Sequence, residues 1–480
     1  EMTKSSNGKI DLTFGDYETA FKSKTTSELI RGYLVFLLCS STYIVDNNTK
    51  LLELGRKMLG EKLFILVMKS TFFGHFVGGE DKEEIQPKID LFRKYHVNAI
   101  LDYAVEKDIS KEEAEKREMI GSLSSVKEEE DRGKEEYGGK LPKYKPEKQF
   151  ADRRMDVEGA RTYFYENEAI CEEHAEAFIE SINMVSSEEA QGYIAIKLTA
   201  LGRPQLLLQL SEIIIRTREF ARNITGKNGS VLHQKLTMDV LKKKLEERGI
   251  KNIDDFVKNV EADKDGIINL FPWYGIVNES KELSKTFRIP SFKEGRMVRL
   301  ITQLSKDEEE MFRNMIDRLN RVICVAEEKN VSVLIDAEQT YFQPAISRIA
   351  MEMMYRYNKT KATVFNTYQA YLRESFEEIE THVDEAERQN FHFGVKLVRG
   401  AYINQERQRA KQLAYPDPVN PTYEATTDMY YKIVDDMFER IKCNKEKGQL
   451  QKLVLLVASH NEDTIEYVIE EMEIKNIEIE

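Results

Sequence analysis

The stretch from Val395 to Arg407 reads V-K-L-V-R-G-A-Y-I-N-Q-E-R, and the fold turns on how it is read. Phe393, Val395, Leu397 and Val398 make an apolar, β-branched run of strand type. Gly400 and Ala401 follow where such a strand should end, and their small side chains let a flat ligand lie against the backbone. Lys396, Arg399 and Tyr402 set two cations and a phenol around the same point. Spacing alone fits a half-buried strand with solvated basic residues equally well. Recurrence of the layout elsewhere in the chain favours a site.

Working outward, five more strand-type segments appear: Ala99 to Asp102, Tyr193 to Leu201, Val331 to Glu338, Ala362 to Tyr371, and Leu453 to Asn461. Helical patterns lie between the later ones, for instance Asn420-Pro421 as cap and first helical residue ahead of Met429, Ile433 and Met437. Near-continuous apolar strands alternating with helices imply a parallel sheet covered by helices. Each strand carries a polar group near its C-terminal end: Asp102, Lys197, Asp336, Gln369, Arg399 with Tyr402, and His460. One such residue is as readily a helix cap or a solvated edge. Six in series indicate a (β/α) barrel whose site gathers at the C-terminal strand ends. Neither a Gly-rich dinucleotide fingerprint nor a GxxxxGK[ST] phosphate loop is present.

The chain has 480 residues, 41% of them hydrophobic, enough for a large barrel with additions. Its formal charge of −13 argues against a nucleic-acid binder. Cys39, Cys171, Cys324 and Cys443 follow no metal or disulfide spacing, as expected of a reducing compartment. The apolar run Tyr33 to Cys39 is too short to span a bilayer. No signal or transit pattern is visible from Glu1 onward, as in a processed form. Residues 1–70 read as a helical region, with Thr26 or Ser27 as a cap and Leu51 to Leu66 periodic. Thr71 to Glu80, aromatic and glycine-rich, reads as a packed turn. Residues 71–202 hold the first barrel units, interrupted at 111–148 by a charged insertion with no apolar periodicity. Residues 203–330 read as a helical insertion, opened by a largely buried helix over Leu206 to Ile215. Within it, 261–272 echoes an EF-hand loop but ends on Pro272 where a bidentate Glu is needed, so no metal site is assigned. Residues 331–480 carry strands three to six.

In order, I-A-I-K-L-T-A-L, V-L-I-D-A-E, Y-Q-A-Y, V-K-L-V-R-G-A-Y and V-A-S-H-N resemble the proline dehydrogenase family of the eukaryotic mitochondrial type. The resemblance runs from about Phe73 to the C-terminus and is most specific over the last 150 residues. It implies a distorted (β/α)8 barrel holding FAD and oxidation of L-proline to pyrroline-5-carboxylate, the first step of proline catabolism. It further implies a quinone acceptor, a mitochondrial location on the matrix side and peripheral contact with the inner membrane. By motif, Lys197 holds the substrate carboxylate, while Asp336 and Tyr402 support the substrate pocket. Gln369, Lys396, Val398, Arg399 and His460 contact FAD. Bacterial members run Arg-Leu-Val-Lys on the fifth strand, whereas Lys396-Leu-Val-Arg399 stands here. The exchange keeps both charges and alters the fork geometry at each.

Two rival readings stand beside this one. A lysine on a barrel strand also marks a Schiff-base aldolase, with Lys197 as nucleophile. A regulatory protein would instead use the charged insertion and the EF-hand-like loop, with no redox activity. Hydroxyproline dehydrogenase is the alternative within the family. Finally, six strands fall short of the eight that close a barrel. The expectation is therefore that the last two units lie outside this sequence, and with them the Arg-Arg pair that the resemblance implies clamps the substrate carboxylate. Residues 1–480 alone would then be inactive.

Overall fold

The computed structural model describes residues 12–13, 15–103, 167–187, 191–225, 237–247, 261–262, 268–269, 288–291, 296–299, 306–449 and 452–477. The charged segment 111–148 lies outside them. So does most of the EF-hand-like loop. Of that loop, β3 (Glu261–Ala262) and β4 (Ile268–Asn269) pair antiparallel. Two compact units are present: Glu1–Ile100 with Glu188–Gly192, and Leu101–Ser187 with Tyr193–Glu480.

The first unit is helical: α1 (Tyr17–Ala20), α2 (Thr26–Cys39), α3 (Thr42–Asp46), α4 (Asn48–Ser70), α5 (Phe72–Phe76) and α6 (Lys82–Lys94). The α2 cap is Thr25, one residue before the expected cap, because Glu28 reaches back to complete a capping box. Thr71 to Glu80 is also not simply a turn. Its aromatic half forms α5, where His75 meets Phe36 edge-on, with ring centroids 5.0 Å apart. Helix α4 breaks at Gly60, whose φ of 70° suits glycine and interrupts the helical ladder.

The second unit is built on a six-stranded sheet of β1 (Ile100–Asp102), β2 (Gly192–Ile196), β7 (Val331–Ile335), β8 (Val364–Gln369), β9 (Phe393–Val398) and β10 (Leu453–Ala458), adjacent in that order. Two short strands, β5 (Arg288–Ser291) and β6 (Arg296–Arg299), pair separately as a hairpin. The pairings β7–β8, β8–β9 and β9–β10 are parallel, as the apolar runs require. Every residue of β7 and β8 is buried. Helices α7 (Glu168–Val185), α8 (Pro204–Thr225), α9 (Met238–Glu247), α10 (Lys306–Glu328), α11 (Gln343–Tyr357), α12 (Ser375–Gln389), α13 (Ile403–Leu413), α14 (Tyr423–Glu446) and α15 (Glu462–Lys475) intervene or follow. Ala195 of β2, Leu334 of β7 and Phe365 of β8 share a cluster with Val454 and Leu456 of β10. The six strands curl into a half-barrel.

The strands stop earlier than their composition suggests. β2 ends at Ile196, and Leu198–Ala200 turn in a 3-10 helix. β7 ends at Ile335, leaving Asp336 to Glu338 beyond the ladder. The α14 cap is Thr422 rather than Asn420, since the Thr422 hydroxyl accepts from the Ala425 N–H at 3.1 Å.

Register between β8 and β9 is fixed by Asn358, which is fully buried at the end of α11. Its side-chain oxygen accepts from the N–H of Thr363 (3.0 Å) and of Val364 (2.8 Å). Its amide donates to the carbonyls of Val364 (2.8 Å) and His392 (2.9 Å). Four backbone groups at two strand entrances are thus satisfied by one side chain. Replacing Asn358 with Ala leaves them buried without partners, at about 1–3 kcal/mol each before relaxation. The expected loss of at least about 3 kcal/mol is measurable by urea unfolding; a change under about 1 kcal/mol would show that other groups hold the register.

Candidate active site

The backbone first sets which side chains can meet. The Asp336 N–H donates to the Ile196 carbonyl at 2.9 Å, which brings Lys197 and Asp336 to neighbouring strand ends. Lys197 is extended (φ −107°, ψ 128°) and partly exposed as the chain enters the 3-10 turn. One face of β9 carries buried Val395 and Leu397, and the other carries half-buried Lys396 and Val398. Lys396 reaches across β8 to place its ammonium 2.7 Å from the Asp336 carboxylate, each side chain about one-sixth exposed (16% and 15%). Shielded from water to that extent, the pair attracts more strongly than it would at a free surface.

Gln369 closes β8 and is buried opposite Val398. Its amide donates to the Glu338 carbonyl at 2.9 Å, and its side-chain oxygen accepts from the Tyr371 hydroxyl at 3.1 Å. A second amide hydrogen and a second lone pair remain by valence. Val398 is half-buried, and its carbonyl accepts from the Ala370 N–H at 2.9 Å. Tyr402 occupies the N-cap position of α13. From the same helix Glu406 turns inward and accepts from the Thr340 N–H (2.7 Å) and hydroxyl (2.6 Å). Burial holds the Glu406 carboxyl above the usual range, and the Thr340 hydrogen bonds oppose that shift.

Arg399 takes a different course. Its guanidinium lies 4.3 Å from the centroid of the Tyr423 ring and donates to Thr427 and to Thr464 (3.5 Å), on the opening turns of α14 and α15. His460 is exposed just past β10. Strand ends therefore bring Lys197, Asp336, Lys396, Gln369 and Val398 together. Tyr402 joins them through α13, while Arg399 and His460 stand on the α14–α15 side.

Sequence comparison settles the family. The profile of the family described as proline dehydrogenase matches residues 85–480. Proline dehydrogenase 1, mitochondrial, of Drosophila melanogaster is 52% identical over 478 residues, covering 96% of this chain and 69% of that protein. The chain belongs to the proline dehydrogenase family. The human protein of the same name is 40% identical over 469 residues, covering 96% of this chain and 76% of its own length. A crystal structure of proline utilization A from Bdellovibrio bacteriovorus aligns with a TM-score of 0.43 at 17% identity, over 96% of this chain and 33% of that one. At that distance, residue roles rest on the geometry of the present chain.

Proline dehydrogenases use FAD, and the donor set here fits it. Lys396 of β9 and the Gln369 carboxamide at the end of the adjacent β8 lie on one side, Arg399 just past β9 lies towards α14 and α15, and all three keep unused donor capacity by valence. Nearby, the side-chain oxygen of Gln339 and the side-chain nitrogen of Gln405 are buried without a partner among the described residues. A ligand rich in donors and acceptors would satisfy both.

Residue-by-residue reading of strand ends missed the contacts that join them. Thr199 and Glu338 bond across 139 residues, yet each lies two positions beyond a candidate (Lys197, Asp336). That common offset was the available signal. The Asp336–Lys396 pair carries no such signal, since sixty residues separate the two and nothing local in either segment points to the other. Its strength is testable by a double-mutant cycle with Asp336→Asn and Lys396→Met. Unfolding free energies should reveal a coupling of about 1–3 kcal/mol. Additive single effects would mean the contact contributes nothing.

Proposed function

We propose that this chain oxidises L-proline to pyrroline-5-carboxylate, the first step of proline catabolism, in mitochondria. The observation that carries the reading is 52% identity to a named proline dehydrogenase across nearly the whole chain. Proline rather than hydroxyproline is the proposed substrate, in line with 52% and 40% identity to the Drosophila and human proline dehydrogenases against 26% over 461 residues to a hydroxyproline dehydrogenase of Xenopus laevis. A Schiff-base role for Lys197 has no support from this family.

Bound FAD supplies the hydride acceptor, and a quinone takes the electrons on. The chain's own residues do the positioning. Lys197, at the end of β2, binds the substrate carboxylate through a charge-assisted hydrogen bond. Asp336, held by Lys396, and Tyr402, at the head of α13, wall the pocket and fix the ring so that the carbon beside the amine faces the cofactor. Gln369, Lys396, Val398, Arg399 and His460 hold the cofactor. The half-buried cations among them, Lys396 and Arg399, favour added negative charge on it.

The test uses the full-length protein. A flavin absorbance spectrum and reduction by L-proline are expected, with trans-4-hydroxy-L-proline a poorer substrate. Lys197→Met keeps the apolar stem and loses the charge. It should lower kcat/KM by about 10²-fold while shifting the melting temperature by no more than a few degrees. Turnover equal to wild type would remove Lys197 from the carboxylate role.

Peripheral contact with the matrix face of the inner membrane is the second part of the proposal, and it fits the first unit. Ile30, Leu34, Leu37, Leu54, Met58 and Leu66 of α2 and α4 are all more than half exposed. Helix α4 adds Lys50, Arg56, Lys57, Lys62 and Lys69 against only Glu53 and Glu61. Exposed apolar side chains beside cations suit an anionic lipid surface. No helix among the described residues is long and apolar enough to cross a membrane. Co-sedimentation with cardiolipin-containing vesicles, weakened by Leu54→Glu with Met58→Glu, is the expected result. Indifference to both lipid charge and substitution would exclude this surface.

A further inference from the structure

Glu338 touches three separate elements of the site. Its carboxylate receives the Thr199 hydroxyl at 2.9 Å from both oxygens, and the Thr199 N–H at 3.4 Å from one of them. Its carbonyl receives the Gln369 amide at 2.9 Å, and its own N–H donates to the Gln343 side chain at 3.0 Å. Thr199, Glu338 and Gln369 are each about 2% exposed. Thr199 lies in the 3-10 turn that directly follows Lys197, Glu338 is two residues beyond Asp336, and Gln369 ends β8. The ladder stops at Ile196 and Ile335, and the Asp336 N–H to Ile196 carbonyl bond links the main chains of the two exits. Past it, the side-chain hydrogen bonds of Thr199, Glu338 and Gln369 join these segments.

We propose that the Thr199–Glu338 hydrogen bond is a positioning device for the known reaction of this family: it locks the turn after β2, and so sets where Lys197 presents its ammonium to the substrate carboxylate. The inference rests on the functional reading above. Glu338 itself needs no contact with substrate. It holds β2, β7 and β8 ends in one frame, so loosening its carboxylate frees the Lys197 side while the main-chain link to Gln369 persists. That asymmetry separates substrate binding from cofactor binding. Buried side-chain networks of this kind fix geometry to the tolerance that positioned reactions need.

The experiment compares wild type, Thr199→Val and Thr199→Ser in the full-length, flavin-loaded protein. Valine matches the shape of threonine and lacks the hydroxyl; serine keeps the hydroxyl. The expected result is a KM for L-proline raised about ten-fold in Thr199→Val, with kcat within about two-fold and flavin content unchanged, and near-wild-type constants in Thr199→Ser. An unchanged KM in Thr199→Val, or equal impairment of both variants, would overturn the positioning role. Should Thr199→Val not fold, Glu338→Gln and Glu338→Ala replace it. The former keeps an acceptor and should stay near wild type, the latter should show the raised KM, and equal values overturn the proposal. A wild type without flavin or proline oxidation would overturn the functional reading and this inference with it. An active wild type with an indifferent Thr199→Val overturns the inference alone.

Discussion

One buried amide, that of Asn358, underlies the geometry of the sheet's central strands. A parallel sheet has no hairpin turns to set its register, so each strand must be told where to begin. Asn358 does this for β8 and β9 together by bonding to Thr363, Val364 and His392 at their entrances. A shift of one residue would turn Lys396 into the helical layer and bring Val395 to the site. With the entrance fixed, Gln369 stands opposite Val398 at the exit, and Lys396 faces Asp336.

The outer layer shows that the same fold tolerates ionisable groups well away from the strand ends. Behind β8, Tyr368 shares a hydrogen bond of 2.8 Å with His382, and burial pushes that imidazole down to about 3. Burial likewise pushes the Glu352 carboxyl up to about 7, against the pull of Arg356 and Arg348. Perturbed groups are therefore not confined to the candidate site in this protein. Their position on the helix side of the sheet marks them as part of the packing rather than of the chemistry.

Much of this was legible in the sequence because a parallel sheet writes itself as uninterrupted apolar runs. All six strands were visible, as was the polar residue near each exit. Strand ends were less clear, since T-A-L after Lys197 and D-A-E after Ile335 suit a strand by composition. Only tertiary contacts turn them aside. Partnerships were not legible at all. Nothing local in V-K-L-V-R tells that Lys396 meets a carboxylate sixty residues earlier while Arg399, three residues on, stacks over Tyr423. The caps show the same limit on a smaller scale: Thr422 displaced Asn420 because a single hydrogen bond decided the start of α14.

Gly394 lies in β9 directly across from Phe365 of β8. A methyl group at Gly394 would come within 2.7 Å of both the Phe365 ring and the Val364 carbonyl. The ring can be trimmed by substitution, but the carbonyl belongs to the ladder and stays. A smaller residue at 365 would therefore relieve only half the conflict, and would open a void in the cluster shared by four strands. In evolutionary terms the glycine is the fixed member of the two: no change at 365 frees it, because the ladder carbonyl remains, whereas the ring can vary at the cost of a cavity as long as Gly394 stays.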